Sequence, residues 1–382
     1  MRKKYLIFGQ PIIEQDEINE ILDSLNSSWL GTGPKVALFE NDFKNYKKCK
    51  YAAAVNSGTA GLHLSLKVLN LQPEDEVIVP AMTFGATINA VIHSGAKPVL
   101  ADIDPITLNI DPEDIERKIS SKTKALLIVH FAGRPCNMDA IKTIAQKNRL
   151  KIIEDCAHAV EAEYNGQKTG TFGDLGCFSF YVTKNITTGE GGMVISSNKE
   201  FISRIRTLAL HGLSRDAWKR FSDEGYKHYY VVEAGFKYNM MDLQAAIGIH
   251  QLKRIEDYWN RRNEIWNRYI NELSNLPVGL PQPADSDIKH SYHLFTIRIN
   301  KEDTGISRDD FLQELHKRNI GCGVHYLSIP EHPYYRQTYK WKPEDYPHAF
   351  KFGRETVSIP LSARLSDEDT NDVISAIREI IV

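Results

Sequence analysis

The chain has 382 residues, enough for two domains and a large core at ~150 residues per domain. Its composition, 42% apolar and 25% charged with a formal net charge of −2, is that of a globular protein and gives no electrostatic reason to expect nucleic acid or an anionic membrane as a partner. The first residues, MRKKYLIFGQPIIEQDE, begin like a signal peptide but meet Gln10 and Glu14 after a short apolar run, and no later stretch is long enough to span a bilayer, so a cytoplasmic protein is expected. Cys49, Cys136, Cys156, Cys177 and Cys322 form no CxxC pair, which argues for buried reduced thiols rather than a disulfide framework or a zinc site.

Residues 12 to 26 carry Ile18, Ile21, Leu22 and Leu25 at helical spacing, and SSWLGTGPK then breaks the pattern with glycines and Pro34. A second amphipathic helix over 35–47 runs into Lys44, Lys47, Lys48 and Lys50, read as a solvated helix end rather than an anion site. From residue 51, apolar runs alternate with helical patterns. Strands are predicted at 51–55, 76–80, 98–103, 124–130, 151–156, 175–181 and 192–196, with helices at about 59–70, 84–94, 111–120, 137–148 and 199–210. Several of the strands are apolar without alternation, as in a mostly parallel sheet covered on both faces, so repeated βα units over about 50–250 predict a doubly wound α/β sheet. A charged, aromatic-studded helix over 251–274, with Leu252, Ile255, Trp259, Ile265 and Tyr269 on one face, is read as a link to a smaller α+β domain. The expected division is a large domain at 1–250 and a small one at 251–382.

Four separated stretches carry candidate chemistry. Asn56-Ser57-Gly58-Thr59 lies between a strand and a helix, where the Ser57 hydroxyl and the N–H groups of Gly58 and Thr59 face either an anion or only a capped helix end. Phe84 follows a strand and is either core or a flat surface for a ring to stack on. Asp155 ends a strand in KIIEDCAHA, where a carboxylate can keep a pyridine nitrogen protonated; His158 three residues on can pack against such a ring or be a satisfied histidine. Lys184, between FSFYVT and NITTGEGGM, falls near a strand end, where α/β proteins place their chemistry. A lysine removed from water there has a lowered pKa and can form a Schiff base, the chemistry of pyridoxal 5′-phosphate (PLP); taken alone, the lysine reads first as an ordinary surface residue. No HExxH spacing, Walker-type loop or GxGxxG after a first strand appears, and a zinc site from His130, His158, His211 and His325 is unprompted.

Together, SGTAGLHLSL, EVIVPAMTF, VHFAGRPCNMDAI, IEDCAHA, GDLGCFSFYVTKNITTGEGGM and KYNMMDLQAAIG resemble the DegT/DnrJ/EryC1/StrS family of sugar aminotransferases over residues 27 to 362. The resemblance implies a fold type I architecture, with a mostly parallel seven-stranded sheet, a small C-terminal domain and a homodimer with shared active sites. It also implies Lys184 as Schiff-base lysine and proton shuttle, Asp155 on the pyridine nitrogen, Phe84 stacked on the ring and His158 near it. Ser57, Gly58, Thr59 and Ser179 would hold the phosphate, with Asn239 reaching across from the partner subunit. Val182 and Arg134 depart from the family pattern without removing a functional group. Related dehydratases carry histidine at the lysine position, so Lys184 favours transamination: L-glutamate would leave as 2-oxoglutarate, converting PLP to its pyridoxamine form, and the amine would pass to a nucleotide keto-sugar.

Substrate-site candidates are Trp29 and Thr32 in WLGTGPK, Trp218, Lys219, Arg220 and Tyr229 in the loop 214–230, and His325 with Tyr326. The two cationic residues suit a diphosphate and the aromatic ones a base or sugar face, while an ordered loop at a dimer interface fits as well. HGLSRDAW, GISRDDF and NIGCGVHY resemble the branch that makes 4-amino-4-deoxy-arabinose on UDP, which favours a UDP-linked 4-keto pyranose over GDP-4-keto-6-deoxymannose.

Overall fold

In the computed structural model, which describes residues 2–214 and 229–381, the chain begins with two helices, α1 (Gln15–Asn26) and α2 (Pro34–Lys47), and then enters a sheet. Strands β1 (Tyr51–Val55), β2 (Glu76–Pro80), β3 (Lys97–Ala101), β4 (Thr123–Val129) and β5 (Lys151–Asp155) alternate with helices α3 (Gly58–Lys67), α4 (Gly85–Ser94), α5 (Pro112–Lys118) and α6 (Met138–Asn148). A short hairpin, β6 (Glu163–Tyr164) and β7 (Gln167–Lys168), precedes β8 (Leu175–Ser179) and β9 (Gly192–Ser196). Helices α7 (Lys199–Ala209), α8 (Asp242–Lys253) and α9 (Ile255–Leu273) follow. The C-terminal part holds β10 (Ile288–Lys289), β11 (Phe295–Arg298), α10 (Lys301–Thr304), α11 (Arg308–Lys317), α12 (Pro333–Tyr339), α13 (Pro347–Glu355), β12 (Thr356–Ile359) and α14 (Asp367–Ile381).

Among the described residues the central sheet has seven strands in the order β1-β9-β8-β5-β4-β2-β3, and only β9 runs antiparallel to its neighbours. The seven predicted strands are these seven. Their apolar runs lack alternation because helices cover both faces: β8 and β9 are buried throughout, and β1 and β2 along four of five positions. Since β9 is antiparallel to both β1 and β8, the ends of β1, β5 and β8 at Val55, Asp155 and Ser179 lie on one edge of the sheet. The helix after β1 starts there because the Ser57 hydroxyl accepts from Ala60 N–H at 3.1 Å and caps it.

Two sequence expectations change, and the facing of one helix is settled. The helix expected over 251–274 is two helices, with the backbone leaving helical geometry at Arg254; α8 begins earlier, at Asp242, whose carboxylate accepts from the N–H groups of Gly33, Lys35 and Val36 and so holds α2 against it. The apolar stripe of α1 faces outward: Ile18, Leu22 and Leu25 are exposed, while Glu17 and Ser24 are buried. Polar partners reverse the helix, because the Glu17 carboxylate accepts from Gln251 Nε2 at 2.8 Å and pairs with the Arg254 guanidinium. Lys47, expected at a solvated helix end, is fully buried. No described helix is long and apolar enough to cross a membrane.

One core cluster joins α2 to the sheet, with Phe43 edge-on to Phe178 at 4.9 Å and to Phe180 at 5.5 Å. Another gathers α9, β11, β12 and α14 around Tyr269 and Phe295, with Leu6 from the N-terminus included through its pairing with Ile320. Replacing the fully buried Phe43 by alanine leaves a cavity between α2 and the sheet, and urea unfolding of Phe43→Ala is expected to show a loss of about 3–5 kcal/mol.

Candidate active site

Two charged side chains dominate the edge where β1, β5 and β8 end. Asp155 is the last residue of β5 and is buried. Its Oδ1 accepts from Ala157 N–H and its Oδ2 from the Thr87 hydroxyl, each at 3.1 Å; Thr87 lies in turn 2.8 Å from Thr83. Burial raises the Asp155 pKa, opposed by those two hydrogen bonds and by the positive charge of Lys184. Lys184 sits in the turn after β8, its N–H bonded to the Tyr181 carbonyl at 2.9 Å. Loss of water around its amine lowers the pKa to about 8, with the Asp155 carboxylate pulling the other way.

Aromatic and imidazole rings fill the surroundings. His158 is buried and stacks on His293 with 4.3 Å between ring centres; the Tyr326 hydroxyl lies 3.2 Å from its Nε2. Its Nδ1 is buried with no hydrogen-bond partner among the described residues. Burial holds the His158 pKa well below the usual histidine value, and the positive charge of Lys184 pushes the same way. Phe84, which precedes α4, is 62% exposed, and its ring centre lies 5.9 Å from that of Tyr326. His325 stacks on Phe8, shares a 2.8 Å hydrogen bond with Ser358, and is lowered to about 4 by burial and then by Lys184.

The residues of the Ser57 turn form a second group on the same edge. Ser57 caps α3, with Gly58 and Thr59 as its first helical residues and Thr59 exposed. A side chain at Gly58 would come within 2.8 Å of Ser179 Cβ, so only glycine lets α3 start against the end of β8. Asn239 pairs through its backbone with Val55, just before this turn, and its side-chain amide donates to Thr32 Oγ1 at 2.7 Å. Thr32 in turn donates to the Met240 carbonyl, and the Trp29 indole N–H to the Thr32 carbonyl, so Trp29, Thr32 and Asn239 form one cluster. The structure thus gathers Lys184, Asp155, His158, Phe84 and Tyr326, and places Ser57, Gly58 and Ser179 on the same sheet edge. Trp218, Lys219 and Arg220 lie outside the described residues; Tyr229, partly buried, is described.

Sequence reasoning missed Thr87, His293 and Asn185. The Asn185 amide donates to Glu161 at 2.7 Å and its oxygen meets His293 Nδ1 at 2.8 Å, while Glu161 pairs with Arg262 at 2.5 Å. Thr87 had a readable sign, standing one helical turn after Phe84; the Asn185 chain had none, because His293 and Arg262 each lie more than a hundred residues from the partner they meet. His130, Glu154 and Cys156 also cluster, but the ligand atoms of His130 and Glu154 are consumed. His130 Nδ1 accepts from Cys136 N–H, which leaves Nε2–H to donate to Glu154, and the Glu154 oxygens also take the N–H groups of Gly170, Phe172 and Gly173.

The family model described as the DegT/DnrJ/EryC1/StrS aminotransferase family matches residues 11–378. The chain belongs to this family. The enzyme is 44% identical over 381 residues to the spore coat polysaccharide biosynthesis protein SpsC of Bacillus subtilis, covering 100% of this chain and 98% of that one. Among solved structures it is similar to Spr1654 of Streptococcus pneumoniae, assigned as a sugar aminotransferase, in its PMP form (TM-score 0.92, 32% identity, 98% of each chain) and in its PLP form (TM-score 0.91, 31% identity, 99% of this chain and 100% of that one). It is also similar to Helicobacter pylori PseC, an aminotransferase involved in the biosynthesis of pseudoaminic acid (TM-score 0.92, 27% identity, 99% of each chain). The enzyme is therefore a PLP-dependent aminotransferase with a fold type I α/β architecture.

The residues present fit this cofactor. Asp155 is a buried carboxylate whose desolvation a pyridinium would relieve, His158 carries an orphaned ring nitrogen, Phe84 exposes a flat face, and a ten-residue helix starts at a serine beside Ser179. Because the lowered pKa makes the neutral amine available from about pH 8, acylation of Lys184 in cofactor-free protein, followed by peptide mass spectrometry, should quicken as pH rises through about 8 and level off above it. In Asp155→Asn the midpoint should fall, since the negative charge that holds the proton on is gone.

Proposed function

We propose that the enzyme transfers the amino group of L-glutamate to the keto carbon of a nucleotide-linked keto-sugar, with C4 of a UDP-linked pyranose as the favoured acceptor, giving an amino sugar for a surface polysaccharide or glycoconjugate. The observation that carries this reading is the placement of an amine with a lowered pKa in the same buried site as the Asp155 carboxylate, within an aminotransferase family. A sugar acceptor is supported by the description of Spr1654 as a sugar aminotransferase and by the polysaccharide named for SpsC. The UDP and C4 assignments rest on the resemblance of HGLSRDAW, GISRDDF and NIGCGVHY, and GDP-4-keto-6-deoxymannose is the alternative acceptor.

When bound, PLP supplies a carbonyl carbon that takes the amine and a ring that accepts the electron pair left by proton removal. Asp155 keeps the pyridine nitrogen protonated, and the Thr87 hydroxyl and Ala157 N–H fix the carboxylate for that task. Lys184 takes the proton from the amino acid and returns it to the other carbon; its pKa of about 8 places it where one amine serves as both base and acid. Ser57, Gly58, Thr59 and Ser179 hold the phosphate, Phe84 covers the ring, and His158, packed on His293, supports it from within the site. The partner subunit's Asn239 completes the phosphate site in a homodimer. The outward apolar face of α1, with Trp29, Leu30 and Leu38 also exposed, supports that assembly. Trp29, Thr32, Trp218, Lys219, Arg220, Tyr229, His325 and Tyr326 are the substrate-side residues of this reading. Residues 1–250 form its cofactor-binding domain and 251–382 its small domain, in a cytoplasmic enzyme whose five cysteines are unpaired.

Incubation with L-glutamate and a panel of UDP- and GDP-linked keto-sugars, read by product mass and stereochemistry, tests the reading. Gain of an amine by a UDP-4-keto pyranose is expected; loss of a hydroxyl without amine gain would mark a dehydratase instead. Lys184→Ala should keep PLP binding and lose turnover by a factor of at least ~10³, and sustained turnover by that variant would sink the role given to Lys184. Joint replacement of Leu22 and Leu25 by glutamate is expected to shift the sedimentation coefficient to that of a monomer, with activity falling in parallel and the far-UV spectrum unchanged.

A further inference from the structure

At the opposite end of the sheet, α2 ends at Lys47 and the chain turns through Lys48, in left-handed geometry, into β1 at Tyr51. Tyr51 pairs with Ser196, four residues along the ladder from the Val55–Gly192 pair that adjoins the phosphate turn. A cleft of about 390 Å³ opens here, lined by Lys47, Lys48, Lys50 and Lys168 together with the hydroxyls of Thr171 and Ser196. Its lining, among the described residues, contains four lysines and no carboxylate.

Lys47 distinguishes this cleft from a basic patch on the surface. It is fully buried, at 0% exposure, and its ammonium donates to the Val160 carbonyl at 2.9 Å and, more weakly, to Thr169 Oγ1 at 3.5 Å. It also lies 4.8 Å from the centre of the Phe178 ring. Among the described residues no carboxylate lies within 4.0 Å of it, whereas its neighbour Lys168 is paired with Glu163 at 2.9 Å. The acidic groups at longer range are committed elsewhere: Glu154 to three backbone N–H groups and His130, and Glu161 to Arg262. A buried ammonium with incomplete compensation is far costlier than an apolar side chain of the same length, so the position calls for a counter-charge. Desolvation lowers its pKa to about 8, and an anion alongside would hold the proton on.

We propose that this cleft is a second ligand site, remote from Lys184, that binds a small phosphate-bearing anion, with the exposed Lys48 and Lys50 contacting it at the mouth and the enclosed Lys47 ammonium acting through the wall as a buried counter-charge. The volume is within the range of small-ligand pockets, and three lysines not tied to a carboxylate suit one or two phosphate groups.

The test is calorimetric titration of the PLP-loaded enzyme at low salt with orthophosphate, pyrophosphate and glycerol 3-phosphate in separate arms. Saturable binding is expected, tightest for pyrophosphate; uptake of glycerol 3-phosphate as well would identify phosphate esters as ligands, and its exclusion an inorganic anion. Lys47→Met, which keeps most of the length of the side chain and removes the charge, should weaken that binding about tenfold or more, and the exposed Lys50→Ala by a smaller factor. Both variants should retain aminotransferase turnover and the absorbance of bound PLP, which shows that they fold and that the phosphate turn at Ser57 is not the site being read. Unchanged pyrophosphate affinity in Lys47→Met, or no saturable binding by the unaltered enzyme, would overturn the proposal.

Discussion

The attraction between the Asp155 carboxylate and the Lys184 amine, both drawn out of water at one edge of the sheet, is the interaction on which the site depends. Burial alone would neutralise each group, raising the acid and lowering the base, and each partly restores the other's charge. The result is a lysine near neutrality and a carboxylate that a cation still stabilises, which is the pairing that pyridine-nitrogen chemistry requires. The sheet provides this geometry because β5 and β8 are parallel neighbours and both end at the same edge.

Supporting groups act by removing freedom. Thr87 and the Ala157 N–H leave the Asp155 carboxylate little choice of orientation. His158 is held between the Tyr326 hydroxyl and the face of His293, which is itself fixed through Asn185, Glu161 and Arg262. Burial and nearby positive charge keep these imidazoles neutral, so they pack as rings without adding charge beside Lys184.

Elsewhere the chain buries charge with different degrees of compensation. Glu154, next to Asp155 in sequence, is satisfied by three amides and His130, and thereby fastens the loop around Gly170 to the sheet. Glu17 turns α1 over, exchanging a buried apolar face for a buried carboxylate and leaving Ile18, Leu22 and Leu25 outside. Lys47 has only two neutral acceptors and an aromatic face, the least compensated of the three.

The sequence by itself determined the seven strands, the doubly wound class and the order of Ser57, Phe84, Asp155 and Lys184, because apolar runs without alternation and turn residues at strand ends are local features that survive in any context. The two-helix break at Arg254 was invisible in the local pattern, and the residue at the break pairs with Glu17 more than two hundred residues away. The facing of α1 was not legible and the burial of Lys47 was misread for the same reason: periodicity reports which residues share a face, and only the partners brought up by the fold decide whether that face turns inward. Asn185 and His293 likewise acquired their places through a contact between distant segments, which depends on three-dimensional proximity and leaves no periodic or spaced trace in the chain.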